Sequence, residues 1–154
     1  MTMFLAFAAT ACGVGEPASG ELRTDREGLA ARVDLPPDAT EVRWLTLPAR
    51  VGRSGTGRGD ARVFAWIPTS TDTSAWLTAT LGEALGPRAH WVYDEVGHTL
   101  FTDAERAGLQ HNDARNTWKL GCVRYPAAAI GRGEYRGEIV LDCEGHLYVA
   151  ATAR

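Results

Sequence analysis

Apolar and polar residues alternate along most of this chain, and two shorter stretches carry helical spacing instead. Leu29, Ala31, Val33 and Leu35 alternate with Arg32 and Asp34, which predicts a half-buried strand over 29–35. Pro36-Pro37-Asp38-Ala39 stops it, since Pro cannot donate to a ladder and Pro-Asp favours a turn. Glu41 to Leu47 predicts a second strand, with Val42, Trp44 and Thr46 facing one way. Ala61 to Ile67 predicts a third. It sets Phe64 and Trp66 on one face and Val63, Ala65 and Ile67 on the other, so it belongs inside a sheet. Thr69 to Leu85 predicts a helix with cap candidates at Thr71 to Thr73 and a stripe of Leu77, Leu81, Ala84 and Leu85, closed by Gly86-Pro87. His90 to Tyr93 fits a short strand. Thr102-Asp103-Ala104-Glu105 has the spacing of a capping box, which opens a short helix from Asp103 to about Leu109, and Gln110 to Asn116 follows as a polar loop.

The last third predicts a meander: Trp118 to Tyr125, broken by Pro126, then Tyr135 to Asp142 and His146 to Ala153 as a hairpin. A two-residue turn at Glu144-Gly145 would put Ile139 and Leu141 on the face of His146 and Tyr148. A three-residue turn, Cys143-Glu144-Gly145, gathers them with Leu147, Val149 and Ala151 into one apolar face. That second register is the expected one. The sum is one α+β domain over residues 28–154, an antiparallel sheet of about five or six strands with one or two helices packed on one face.

Ahead of that domain, the apolar run Met3-Phe4-Leu5-Ala6-Phe7-Ala8-Ala9 leads through Thr10-Ala11 to Cys12. Gly13-Val14-Gly15-Glu16-Pro17-Ala18-Ser19-Gly20 follows as a string of small residues. The arrangement resembles the end of a bacterial lipoprotein signal, in which a small residue precedes a Cys that is lipidated and becomes the new N-terminus. The resemblance implies a signal peptide over 1–11, an acyl group on Cys12 and a flexible tether over 12–27. It also implies a domain held outside the cytoplasm on the bacterial cell envelope, with the membrane as its partner through the lipid. Gly13, rather than Asp, after Cys12 suits passage to the outer membrane of a two-membrane envelope. The bland alternative is an apolar N-terminus on a cytosolic protein.

Composition narrows the choices. Hydrophobic residues at 45% and charged ones at 23% are ordinary for a folded domain, which argues against disorder across the chain. The net charge of −3 is unchanged by removing residues 1–11, none of which is charged, and offers no bulk attraction to nucleic acid. No other segment reaches the ~20 apolar residues of a membrane span. With Cys12 assigned to lipid, Cys122 and Cys143 remain as an even pair. In an exported domain that favours a disulfide, worth about 3 kcal/mol in the chain-entropy model. In a cytosolic protein they would be buried free thiols.

Catalytic and binding chemistry is thinly marked. His90, Asp94, Glu95 and His98 form the densest polar cluster, with His111 and Asp113 further on. Glu95 and His98 have Glu-x-x-His spacing, and His90, Glu95 and His98 are the candidate metal ligands, set against a reading as solvated loop residues. His98 with Asp94 is the candidate base–acid pair of a small envelope hydrolase, but no Gly-x-Ser-x-Gly elbow accompanies it. The Gly-rich segment Arg50 to Asp60 has no Lys and precedes a strand, so it reads as a hairpin loop rather than a phosphate loop, with Arg53 and Arg58 as candidate contacts for an anionic group. It also contains Arg58-Gly59-Asp60, a tripeptide common by chance. Of five tryptophans, Trp66 and Trp118 lie within predicted strands and read as core. Trp76, off its helix stripe, and Trp91, beside the polar cluster, are the candidate ligand contacts. No cofactor is implied. The expected role is non-catalytic binding or assembly with a protein, glycan or peptidoglycan component.

Overall fold

The computed structural model describes residues 20–48 and 61–154. Cys12, Arg53 and Arg58 therefore lie outside the described residues, as do the segment expected to be a signal peptide and the first part of the expected tether. Seven strands form one antiparallel sheet: β1 (Arg43–Pro48), β2 (Ala61–Pro68), β3 (Gly86–Tyr93), β4 (Gln110–Asn112), β5 (Thr117–Tyr125), β6 (Tyr135–Cys143) and β7 (His146–Ala153). Their spatial order is β1-β2-β7-β6-β5-β3, and β4 pairs with β5 beside it. Four short helices accompany them: α1 (Arg26–Ala30), α2 (Thr73–Leu81), α3 (Asp94–Leu100) and α4 (Asp103–Ala107), with one 3-10 turn at Ala128–Ile130. The class is α+β, but the sheet dominates.

Both faces of this sheet are buried, which corrects the expectation of helices on one face only. On one face Trp44, Val63, Ile67, Leu77, Val140 and Val149 form a core covered by α1, α2 and the 3-10 turn. On the other, Leu45, Phe64, Leu100, Leu120, Leu141 and Tyr148 form a second core. The sheet curls toward this second face. His90 on β3 reaches Tyr148 on β7 at 5.4 Å between ring centroids although β5 and β6 separate their strands. Helix α3 touches β1, β2, β3 and β5, closing the concave side.

The double core explains the misread hairpin. Cys143 pairs with His146 and Leu141 with Tyr148 around a two-residue Glu144-Gly145 turn, with Gly145 at φ 81°. The three-residue turn is the expected one only where burial rewards collecting the apolar residues on one face. Here each strand is apolar on both: Leu141 and Tyr148 face the concave core while Val140, Leu147 and Val149 face the other. The β-bulge turn therefore has no advantage in burial. β2 is the interior strand its pattern predicts, between β1 and β7.

Three further expectations are corrected. The segment 29–35 is not a strand. Helix α1 covers its start, and only Val33 makes an isolated bridge, to Gly131. Leu29 and Val33 are both fully buried, and their i, i+4 spacing satisfies a helix-then-turn path as well as an alternating one. Gly28 lets α1 lie close over Trp44, because a Cβ there would come within 2.8 Å of the Trp44 ring. The helix predicted to run to Leu85 stops at Leu81, where Gly82 at φ 106° turns the chain, and Leu85 is 60% exposed. Gly86-Pro87 instead opens β3, where Pro is tolerated because β3 is an edge strand. Asp94, Glu95 and His98, for which the bland reading is solvated loop residues, lie on helix α3, and part of the predicted 110–116 loop is β4.

The end of the tether also moves. Gly20 N–H donates to Thr46 O at 2.7 Å, and Arg23 pairs with Trp44 in an antiparallel bridge. Residues 20–27 thus lie along β1 or begin α1 as part of the domain. The predicted capping box is present in α4: Thr102 Oγ1 accepts from the Glu105 N–H, and Glu105 Oε1 accepts from the Thr102 N–H. Cys122 on β5 and Cys143 on β6 face each other across neighbouring strands, with Sγ atoms at the disulfide distance of 2.07 Å and Cα atoms 4.4 Å apart.

Candidate functional site

β3 pairs with β5 over its whole length, from Gly86–Arg124 to Tyr93–Thr117. Strand alternation sends His90 and Val92 to the concave side and Trp91 and Tyr93 to the other. Trp91 is 39% and Tyr93 51% exposed, two of the few large apolar side chains open to solvent. Together with Asn112, Arg115 and Thr117 they line a groove of about 420 Å³. Lys119 Nζ, on the adjacent strand, stands 5.9 Å from the Trp91 ring centroid. The groove thus has an aromatic wall and a rim of amide, hydroxyl and cationic groups, the composition of a site that stacks on one face of a ligand and hydrogen-bonds its edge.

Trp91 is one of the ligand contacts expected from sequence. Its neighbour Tyr93 was overlooked, although an i, i+2 aromatic pair on a predicted strand signals a shared face. Trp76 is half-buried against the helix-covered core and lies away from the groove.

The polar cluster divides in two. Asp94 and His98 come together on α3, one turn apart, with His98 Nε2 3.1 Å from Asp94 Oδ1. The same oxygen accepts from Trp118 Nε1 at 3.3 Å and lies 3.7 Å from His111 Nε2, while His111 Nδ1 is 2.7 Å from Asp113 Oδ1. Trp118 is half-buried between these groups, packed against His111 at 4.4 Å. Gly97, seen in the sequence as an interruption, is what allows the approach: a Cβ there would lie 2.5 Å from Trp118 Cδ1. His90 does not join this cluster, because it lies beside Tyr148 and Arg62 instead, and Glu95 is exposed beside a shallow hollow with Tyr93, Asp94, Arg115 and Asn116. The candidate ligand set His90, Glu95 and His98 is therefore not assembled, and among the described residues no group of three or more such side chains could hold a metal ion. His98 is 56% exposed at its side chain, so the Asp94–His98 pair works in water rather than in a closed pocket.

A second polar network was not visible in the sequence. Glu105, read only as a helix cap, also accepts from Trp66 Nε1 at 2.6 Å. His146, stacked on Trp66 at 4.5 Å, places Nε2 3.4 Å from the same carboxylate, and Arg43 lies 3.8 Å from the other oxygen. Burial pushes the Glu105 carboxyl up. The Thr102 and Trp66 hydrogen bonds, with His146 adding, outweigh it and hold the group below its ordinary range. Burial, with Arg43 adding, holds the His146 imidazole below its usual value against the pull of Glu105. This network fastens α4 to the sheet.

Compared with known proteins, the chain matches no family model, no curated protein and no solved structure. Among the described residues no helix is long and apolar enough to cross a membrane.

Proposed function

We propose that this chain is an exported, lipid-anchored protein of the bacterial cell envelope whose domain binds a glycan or peptidoglycan component without transforming it. The observation that carries the binding reading is the Trp91–Tyr93 pair, exposed side by side along a groove rimmed by Asn112, Arg115 and Lys119. Aromatic faces stack on the C–H faces of sugar rings, and the rim offers donors and acceptors to their hydroxyl and amide groups. Export is supported by the lipobox-like Thr10-Ala11-Cys12 and by the facing Cys122 and Cys143, since such pairs persist in oxidising compartments.

The Asp94–His98 contact favours the alternative, a small envelope hydrolase using His98 with Asp94 or Glu95. Against it stands the exposure of His98, which leaves no enclosed site to position a substrate.

Two measurements test the reading. Purified domain is incubated with insoluble peptidoglycan and the pellet assayed: the wild type sediments with it, and the Trp91→Ala/Tyr93→Ala double variant stays in the supernatant. Equal retention of both would remove the groove from the account. Intact-mass analysis of protein from the native host reads the anchor, expected as cleavage before Cys12 with added acyl mass. An unprocessed, unacylated chain would overturn it.

A further inference from the structure

On the concave face, β2, β7, β6 and β3 curl around a second cavity of about 210 Å³, which shares Trp91 and Tyr93 of β3 with the outer groove. Phe64, Val92 and Ile139 supply apolar walls, and Arg62, His90 and Tyr148 supply the polar groups. Arg62 lies over the Phe64 ring at 4.9 Å and donates from Nη2 to Glu138 Oε2 at 2.7 Å. Its Nε is buried and has no hydrogen-bond partner among the described residues. A buried guanidinium N–H without an acceptor is costly, and such a group marks a place where a ligand can supply one.

The remaining donors point the same way. Glu138 is the acidic group at this end, and its other oxygen already accepts from Thr152 Oγ1 at 2.5 Å. Burial, with Arg88 and Arg62 adding, holds His90 below its ordinary value, so at neutral pH it is an uncharged donor beside a fixed cation. Burial pushes the Tyr148 phenol far up, so it keeps its proton and can donate. The cavity therefore combines a guanidinium paired with Glu138 but with its Nε unpartnered among the described residues, two neutral donors and an apolar wall.

From this constellation we infer that the concave cavity binds a small organic carboxylate, its anionic group held by Arg62 with His90 and Tyr148, its apolar body against Phe64, Val92 and Ile139. At interior packing density the volume accommodates roughly ten non-hydrogen atoms. The inference goes beyond the outer-groove reading and does not depend on it, since Arg62, His90 and Tyr148, which would hold the anion, do not line the outer groove.

Benzoate and its uncharged isostere benzamide are suitable probes. Each is titrated into isotopically labelled domain, and chemical shifts are followed by NMR. Benzoate is expected to saturate in the millimolar range, with shifts centred on His90, Val92, Ile139 and Tyr148, and to bind at least about tenfold more tightly than benzamide. Arg62→Gln is expected to cost about the same factor, with a dispersed spectrum showing that it folds. His90→Asn gives a second, independent loss. Equal binding of the two probes would overturn the inference without recourse to any variant. So would shifts centred on Asn112 and Thr117, or no saturation by about 10 mM.

Discussion

Replacing Glu105 with Ala tests whether one carboxylate fastens α4 to the concave end of the sheet. The substitution removes three things at once. The capping box of α4 is lost, at a cost of about 1 kcal/mol. The Trp66 indole N–H, in a residue only 6% exposed, loses its 2.6 Å acceptor, and an unpartnered buried donor costs about 1–3 kcal/mol. The Arg43 contact, at 3.8 Å and partly in solvent, contributes no more than about 0.5 kcal/mol. His146 adds little at neutral pH because burial and Arg43 keep it from charging. The expected loss is about 2–4 kcal/mol, read as a urea midpoint lowered by about 1–2 M at unchanged slope. Glu105→Gln keeps an acceptor for one of the two donors and is expected to cost about half as much. A loss below about 0.5 kcal/mol for Glu105→Ala, or equal losses for Ala and Gln, would refute the picture of a two-ended clamp.

Other outcomes follow from the same contacts. Cys122→Ser/Cys143→Ser, which opens a cross-link spanning 21 residues, is expected to lower unfolding free energy by about 3 kcal/mol in denaturant titrations, and reduction of the wild type should match it. Gly97→Ala drives a methyl into Trp118 and is expected to cost about 1–3 kcal/mol, with loss of the tryptophan's native fluorescence maximum, whereas a neutral result would mean α3 does not pack as described. For pH, both His90 and His146 titrate below their ordinary value of 6.5 in the fold, so the unfolded chain takes up protons first as pH falls. Their contribution is present above the unfolded value and is lost as pH drops through it toward the folded ones. The urea midpoint should fall between pH 8 and pH 5.5, and His90→Asn/His146→Asn should flatten the slope.

Elements whose signal is local were legible. The capping box of α4 rests on two residues three apart, and Thr102 and Glu105 form it as their identities require. β2 shows its interior position because both its faces are apolar, a property of the segment itself. Leu29 to Leu35 was misleading because Leu29 and Val33 belong to both periodicities, and the choice fell to packing of α1 over Trp44. Trp91 could be singled out beside a polar cluster, but its 39% exposure depends on tertiary packing.

The class of the fold, the interior strand, the cap and the cysteine pair are all legible in the chain, since each is written in neighbouring residues or in residue type. Burial of the sheet on both sides, by contrast, emerges from three-dimensional packing alone. That fact set the hairpin register, because with two cores a strand gains nothing by collecting its apolar residues on one face. Curling then brought Arg62, His90 and Tyr148, from strands far apart in the chain, around one cavity, and placed Trp66 against a helix cap. Such meetings depend on sheet curvature and strand order, which no local pattern of residues encodes.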